Sequence, residues 1–257
     1  MMTSLIHFFI FNLNKMTPMK LLKRIKRGLP RQCHLCRLTI TPQDAHPLHN
    51  LWCQHCVERF IDTTPRCQRC GLKTVTRVQQ CGQCLAQPPK WDRLYCINDY
   101  QAPLKAYIQK LKYRRQFWLA SDLALLLAPM ITEPCHELIP VPLHWRRQWS
   151  RGFNQSAEIA QQLANHWQSD QLNCQVNHGV FRRIKATPQQ KGLTKIERRR
   201  NTKRAFQLRN KPLTQHVALV DDVVTTGSTL EPLCALLRKA GVKRIDVYCL
   251  SRTPTPN

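Results

Sequence analysis

The chain predicts an α/β fold, a mostly parallel sheet preceded by a small cysteine-rich module. Three observations predict it. Strand-like and helix-like stretches alternate from Trp91 to the C-terminus. Residues 217–229 (VALVDDVVTTGST) join a continuous apolar run to a Thr/Gly/Ser turn that leads into an apolar-patterned stretch. Eight of the thirteen cysteines fall into four C-x-x-C pairs within residues 33–84.

The cysteine module spans about residues 30–89 and closes on Gln-Pro-Pro. C-x-x-C pairs suit one tetrahedral metal better than two bridges, which implies a reducing compartment. The simplest pairing joins Cys33 and Cys36 to Cys53 and Cys56, and Cys67 and Cys70 to Cys81 and Cys84. That gives a double ribbon with two structural Zn²⁺ sites, the metal replacing a core the module is too small to build. An interleaved pairing of the first knuckle with the third stays open. With eight cysteines supplying both sites, His34, His46, His49 and His55 read as surface residues. Cys96, Cys135, Cys174, Cys234 and Cys249 lack the spacing and read as buried thiols.

Residues 90–257 form the second expected domain. A short strand near 95–97 is followed by helices over 103–112 and 118–129, a strand over 137–141, a helix over 155–167, and strands over 175–181 and 205–208. The strand of the 217–229 segment comes next, then a helix over 230–240 and a last strand over 244–250. Residues 1–29 read as a leader, disordered or a mis-assigned start, since Met16 and Met19 offer later ones. Its apolar run of about nine residues is far short of the roughly 20 needed to span a bilayer, so no stable membrane insertion is expected. A weak anchor, with residues 20–27 facing anionic lipid, is a minor alternative.

The 217–229 segment carries chemistry. Residues 217–220 are apolar without alternation, as in a central parallel strand covered on both faces. Asp221 and Asp222 follow where the strand is expected to end and the backbone to turn, the edge where ligands sit in open α/β sheets. Thr225, Thr226, Gly227, Ser228 and Thr229 then gather backbone amides, hydroxyls and the positive end of a helix dipole into an anion seat. Carboxylates beside a phosphate seat suit sugar hydroxyls or a hydrated Mg²⁺ rather than the phosphate. A ribose 5-phosphate satisfies both halves. A Walker A loop is excluded, because Gly-Lys-Ser/Thr does not occur.

The segment resembles the signature of type I phosphoribosyltransferases for 5-phosphoribosyl-1-pyrophosphate (PRPP). That resemblance implies a sheet of the type I kind, with Asp221 and Asp222 on the ribose and Mg²⁺ accompanying PRPP. Residues 140–154 (PVPLHWRRQWSRGFN) lie where those enzymes hold diphosphate, and the Arg-Gly-Phe ending looks like that of adenine phosphoribosyltransferases. Arg146, Arg147, Arg151 and Gly152 are therefore candidates for diphosphate or DNA backbone, guanidinium forks suiting phosphate oxygens. Residues 182–211 hold twelve Lys or Arg against Glu197 alone. In the enzymes a closing loop lies at this place, and Lys191, Arg198, Arg199 and Arg200 join the candidate set.

Forty Lys and Arg against fifteen Asp and Glu give a formal charge of +25, which points to a polyanionic partner. Rings interleave with the charges: Tyr107 and Tyr113 among Lys105, Lys110, Lys112, Arg114 and Arg115, then Phe117 and Trp118, and Trp145 and Trp149 among the arginines of the 140–154 loop. Such interleaving suits single-stranded nucleic acid.

The C-x-x-C ladder, residues 100–113 (YQAPLKAYIQKLKY), 140–157, 187–206 and the acid-pair segment, in this order, resemble the ComF family of bacterial competence proteins. The resemblance covers nearly everything from Cys33 onward. It implies a cytoplasmic protein that handles single-stranded DNA during natural transformation, beside other competence proteins. Two other readings compete: an active phosphoribosyltransferase acting on a nucleobase or related nitrogen, and a PRPP-sensing regulator that binds DNA through its ribbons.

Overall fold

The computed structural model describes residues 31–45, 51–143, 149, 152–169, 172–184 and 205–254. The leader expected over 1–29 and the basic stretch 185–204 lie outside them. The chain divides into two compact units, one ending at Cys56 and the other beginning at Val57.

In the first unit, β1 (Arg31–Gln32) pairs antiparallel with β2 (Thr39–Ile40). The knuckle between them is closed by backbone bonds from Arg37 N to Cys33 O and from Cys33 N to Leu38 O, both 2.8 Å. Arg37 takes the left-handed conformation, with φ of 66°. Helix α1 (Gln54–Glu58) follows Cys53.

The second unit repeats the knuckle with a glycine in the left-handed place. Gly71 N donates to Cys67 O at 2.9 Å, and Cys67 N to Leu72 O at 2.8 Å. Here only glycine fits, because a Cβ on Gly71 would come within 2.4 Å of Leu94 Cδ2. Helix α2 (Gly82–Ala86) buries Cys84. This ribbon is fastened to β3 (Arg93–Asp99), an edge strand, by Leu94 N donating to Gln68 O (2.9 Å) and by Arg66 Nη1 donating to Asp99 Oδ1 (2.8 Å). It therefore covers part of an otherwise open sheet edge.

Beyond it, α3 (Leu104–Tyr113) and α4 (Leu119–Leu127) lead to β4 (Glu137–Pro140), α5 (Gln155–Ser169) and β5 (Gln175–Val176). Strands β6 (Phe181–Arg183) and β7 (Phe206–Leu208) make an antiparallel pair. β8 (His216–Val224), α6 (Leu230–Lys239) and β9 (Arg244–Arg252) complete the chain. The main sheet has the order β3-β9-β8-β4-β5 with every neighbouring pair parallel. As the continuous apolar runs require, β8 and β9 are central and buried on both faces. On one face Val217, Leu219, Ile245 and Val247 pack with Leu233 and Leu237 of α6 and with Phe181 and Phe206. The alternate residues Ala218 and Val220 are fully buried as well.

Two expectations need correction. The strand expected over 175–181 is two strands in different sheets. Asn177 breaks it: its Oδ1 accepts from Gly179 N at 3.1 Å, closing a turn, while its Nδ2 donates to Glu137 Oε1 at 2.8 Å. And β8 does not end at the acid pair, for it stays in register with β9 as far as Val224 opposite Arg252. The five cysteines outside the ribbons are buried, as the sequence predicts.

Glu137 is fully buried and still well satisfied. Its Oε2 accepts from Leu213 N (2.8 Å), Thr214 N (2.9 Å) and Thr214 Oγ1 (3.2 Å). A glutamine here would turn an amide donor toward donors at one of the two oxygens. Glu137→Gln is expected to lower the unfolding free energy by about 1–3 kcal/mol in urea titrations, whereas a Glu231→Gln control, at a half-buried position in the first turn of the last helix, stays nearer wild type.

Candidate functional site

The site grows from the C-terminal edge of the sheet. Past Val220, β8 delivers Asp221 and Asp222. It then ends at Val224, where residues 225–229 turn into α6. Gly227 has φ of 75°, and both Leu230 N (2.9 Å) and Glu231 N (3.0 Å) donate to its carbonyl, closing the turn. Pro232 falls in the first turn of α6, where a missing N–H costs nothing. The Thr225 and Thr226 side chains are exposed, Ser228 is buried, and Thr229 is half-buried. Ser228 N donates to Thr226 Oγ1 at 3.4 Å.

This loop is held from beneath by groups that also grip the second ribbon. Buried Arg252 donates Nε to Cys70 O (3.0 Å) and Nη1 to Val224 O (3.1 Å), Thr253 O (2.8 Å) and Thr225 O. Trp91 donates Nε1 to Arg69 O at 2.7 Å, and its ring lies so close to Gly227 that a Cβ there would meet Cη2 at 2.4 Å. Glycine is thus required at 227 both by its left-handed backbone and by the indole beside it.

The two carboxylates have different surroundings. Asp222 is paired: Lys112 Nζ lies 2.9 Å from its Oδ1, the two side chains being 15% and 7% exposed. Its other oxygen, Oδ2, is buried and accepts no hydrogen bond among the described residues. Asp221 Oδ1 accepts from Ser156 Oγ (3.1 Å) and from Asp222 N (2.9 Å). Asn154 positions that serine, its Oδ1 accepting from Ser156 N (3.1 Å) and its Nδ2 donating to Val141 O (3.1 Å). Burial, and then the neighbouring Asp222 charge, push Asp221 up to about 7. Burial alone would lower Lys112, yet Asp222 and more distantly Asp221 hold its ammonium above the ordinary value.

Sequence reading misses Ser156, Arg252 and Trp91, and it gives Lys112 only as a charge for nucleic acid, whereas the structure pairs it with Asp222. One signal pointed to Lys112. It stands four residues after buried Ile108, on the apolar stripe Leu104, Tyr107, Ile108 and Leu111 of α3, where a lysine needs a partner. Tyr107, expected among the stacking rings, belongs to that stripe, buried edge-to-face against Phe60 with centroids 5.4 Å apart. Gly152 has φ of 82° and is exposed. Arg146, Arg147, Arg151, Lys191, Arg198, Arg199, Arg200 and Trp145 lie outside the described residues.

Both cysteine sets are assembled in sequential pairing. The sulfurs of Cys33, Cys36, Cys53 and Cys56 lie within 4.8 Å of one another, as do those of Cys67, Cys70, Cys81 and Cys84. Four thiolates about 2.3 Å from one Zn²⁺ stand about 3.8 Å apart in a tetrahedron. In the second set Cys67 and Cys84 are 3.9 Å apart, and Cys70 and Cys81 3.7 Å. Both sets could hold zinc. The acid pair does not offer the same fit to Mg²⁺, because the Lys112 ammonium already stands at Asp222 Oδ1.

A five-stranded parallel sheet that ends in an acid pair and a hydroxyl-bearing loop before a helix defines a phosphoribosyltransferase-type α/β protein. Consistently, the family model described as phosphoribosyl transferase domain matches residues 150–256. The chain is 41% identical to Competence protein F of Haemophilus influenzae, over 80% of this chain and 93% of that protein. It is 36% identical to DNA utilization protein YhgH of Salmonella typhimurium, and 37% to that of Escherichia coli O157:H7, in each case over 88% of this chain and 98% of the relative. The chain belongs to the ComF family. Among the described residues no helix is long and apolar enough to cross a membrane.

A pH dependence follows from Asp221. A carboxyl raised in the folded state contributes stability that is fully present below its unfolded value of 3.8 and is lost as pH rises through about 7. Asp221→Asn removes this dependence. Relative to the variant, wild type is expected to lose roughly 1 kcal/mol of unfolding free energy between about pH 6 and pH 8, read by urea denaturation at both values. Parallel curves for the two proteins would contradict the assignment.

Proposed function

We propose that this chain binds a ribose 5-phosphate, of which PRPP is the activated form, at the acid pair and the 225–229 loop. We propose also that it binds single-stranded DNA on the adjoining surface, serving DNA uptake or utilisation as the names of its relatives suggest. One juxtaposition supports the combination. Lys112 is fixed against Asp222, and the chain then leaves α3 through exposed Tyr113, Arg114, Arg115, Phe117 and Trp118. Phe117 packs edge-to-face on Trp118 (5.5 Å) and near Phe153 (6.4 Å), where the segment after β4 re-enters α5. An aromatic and basic ledge therefore borders the candidate sugar site, as stacking of unpaired bases requires.

In this reading Asp221 and Asp222 receive pentose hydroxyls, and Thr225, Thr226, Gly227, Ser228 and Thr229 receive the 5-phosphate. Arg146, Arg147, Arg151 and Gly152 meet diphosphate or DNA backbone, joined by Lys191, Arg198, Arg199 and Arg200, and a Mg²⁺ that takes part rides on the diphosphate. Two zinc ions brace the ribbons. The protein works in the cytoplasm, in contact with other competence proteins.

Two measurements test the halves separately. Calorimetric binding of PRPP and of ribose 5-phosphate is expected to vanish in Asp221→Asn/Asp222→Asn while the folded circular dichroism spectrum persists; retained binding refutes the sugar site. Pyrophosphate release from PRPP across a panel of nucleobases would move the reading to an active phosphoribosyltransferase. For DNA, fluorescence anisotropy with labelled oligonucleotides is expected to weaken steeply with salt, with a log–log slope of about −0.7 per phosphate contacted. Phe117→Ala/Trp118→Ala is expected to cost about tenfold or more in affinity at fixed salt. A flat salt response, or no effect of the ring substitutions, overturns the DNA half.

A further inference from the structure

Resting on the sugar-site reading, we infer that Lys112 is the built-in cation of the acid pair: its ammonium holds the place at Asp222 that a divalent metal would take, so the pair meets the pentose hydroxyls without an ion of its own. The geometry carries this. Lys112 Nζ and Asp222 Oδ1 are 2.9 Å apart, and both side chains are largely withdrawn from water. The helix that presents Lys112 is held by its apolar stripe, Leu104, Tyr107, Ile108 and Leu111, all 3% exposed or less. The ammonium is placed by packing and is not a surface charge that swings in and out.

Charge and coordination argue in the same direction. A Mg²⁺ on Asp222 would share one carboxylate with a fixed ammonium, at a repulsion that low-dielectric surroundings sharpen. It also needs near-octahedral oxygen ligands and usually keeps several waters, for which a carboxylate this buried leaves little room. The surroundings of the two acids point to a different ligand. Asp222 Oδ2 is buried and accepts nothing among the described residues, whereas Asp221 is half-buried and is bonded within the chain through Oδ1 alone, by Ser156 Oγ and the Asp222 amide, so a sugar hydroxyl, a neutral donor, meets the pair at Asp221. The pair thus offers acceptors to hydroxyls while Lys112 supplies the counter-charge.

The test uses the full chain with its cysteine sites zinc-loaded, and Mn²⁺ alone as the probe, followed by electron paramagnetic resonance. In wild type the Mn²⁺ titration is expected to be unchanged by Asp222→Asn. In Lys112→Met a new Mn²⁺ site appears, about tenfold tighter or more than background, and Asp222→Asn added to that variant removes it. Lys112→Arg, which restores a cation, leaves the site closed. An Mn²⁺ site in wild type that Asp222→Asn removes overturns the inference, and that comparison needs no change at Lys112, so misfolding of the methionine variant cannot shield it. A folded Lys112→Met that gains no Mn²⁺ site overturns it as well. In a second arm, ribose 5-phosphate binds wild type equally in EDTA and in Mg²⁺; binding only with Mg²⁺ overturns the inference. Absence of sugar-phosphate binding under both conditions counts against the sugar site, while the Mn²⁺ arm still judges Lys112.

Discussion

Two adjacent carboxylates sunk at the end of a central strand must be neutralised, and much of this site follows from how that is done. Burying an unpaired carboxylate costs several kcal/mol after relaxation, enough to compete with the whole stability of a domain. Here the load is divided. Asp222 takes the Lys112 ammonium, and Asp221 takes a serine hydroxyl and a backbone amide while its affinity for a proton rises. Each partner imposes a placement. Lys112 fixes the end of α3 over the sheet, and Ser156 fixes the first turn of α5, with Asn154 bonding its amide and reaching back to Val141.

The second ribbon is part of this arrangement. Arg252 connects Cys70 to the last residues of β8, and Trp91 connects Arg69 to the surface of Gly227. The floor of the 225–229 loop is therefore set by backbone carbonyls whose positions depend on the knuckle that Cys67 and Cys70 close. A metal drawing four thiolates together would stiffen that knuckle where the polypeptide has little apolar mass of its own. The two knuckles differ in a way that reflects this. Arg37 occupies the left-handed position of the first, whereas that of the second is filled by Gly71, with Leu94 of the edge strand pressed where a side chain would be.

Local patterns carried most of the fold into the sequence. The helix expected over 230–240 and the strand over 244–250 are within two residues of α6 and β9, because an apolar stripe marks the one and the β-branched, aromatic and apolar residues 247–250 mark the other. The cysteine spacing foretold both tetrads. What failed were features decided by distant partners. Nothing near Asn177 announces that its side chain will both close a turn and bond Glu137, forty residues earlier. Arg252 lies two residues past the strand expected over 244–250, and its role exists only where residues 70, 224, 225 and 253 converge. Tyr107 interleaves with the charges in sequence, but its spacing places it on a buried stripe. The same stripe carries Lys112, so periodicity outweighs charge in placing both residues.

A polyanion and an acid pair make poor neighbours, and this bears on how one helix could serve both surfaces of the proposed function. Exposed Arg114, Arg115, Phe117 and Trp118 begin two residues after Lys112. On the proposed function, DNA phosphates on that ledge would act on any charge at the sheet edge that lies within about a Debye length, roughly 8–10 Å at ordinary ionic strength. Two bare carboxylates there would oppose the strand, whereas a pair carrying an internal ammonium and a partly protonated Asp221 presents far less negative charge. On that reading, the ion pair that lets the acids be buried would also let a nucleic acid lie beside them. On the proposed function, sugar phosphate and strand are compatible on one edge because the chain supplies the counter-charge itself, from the turn of α3 that leads into the ledge.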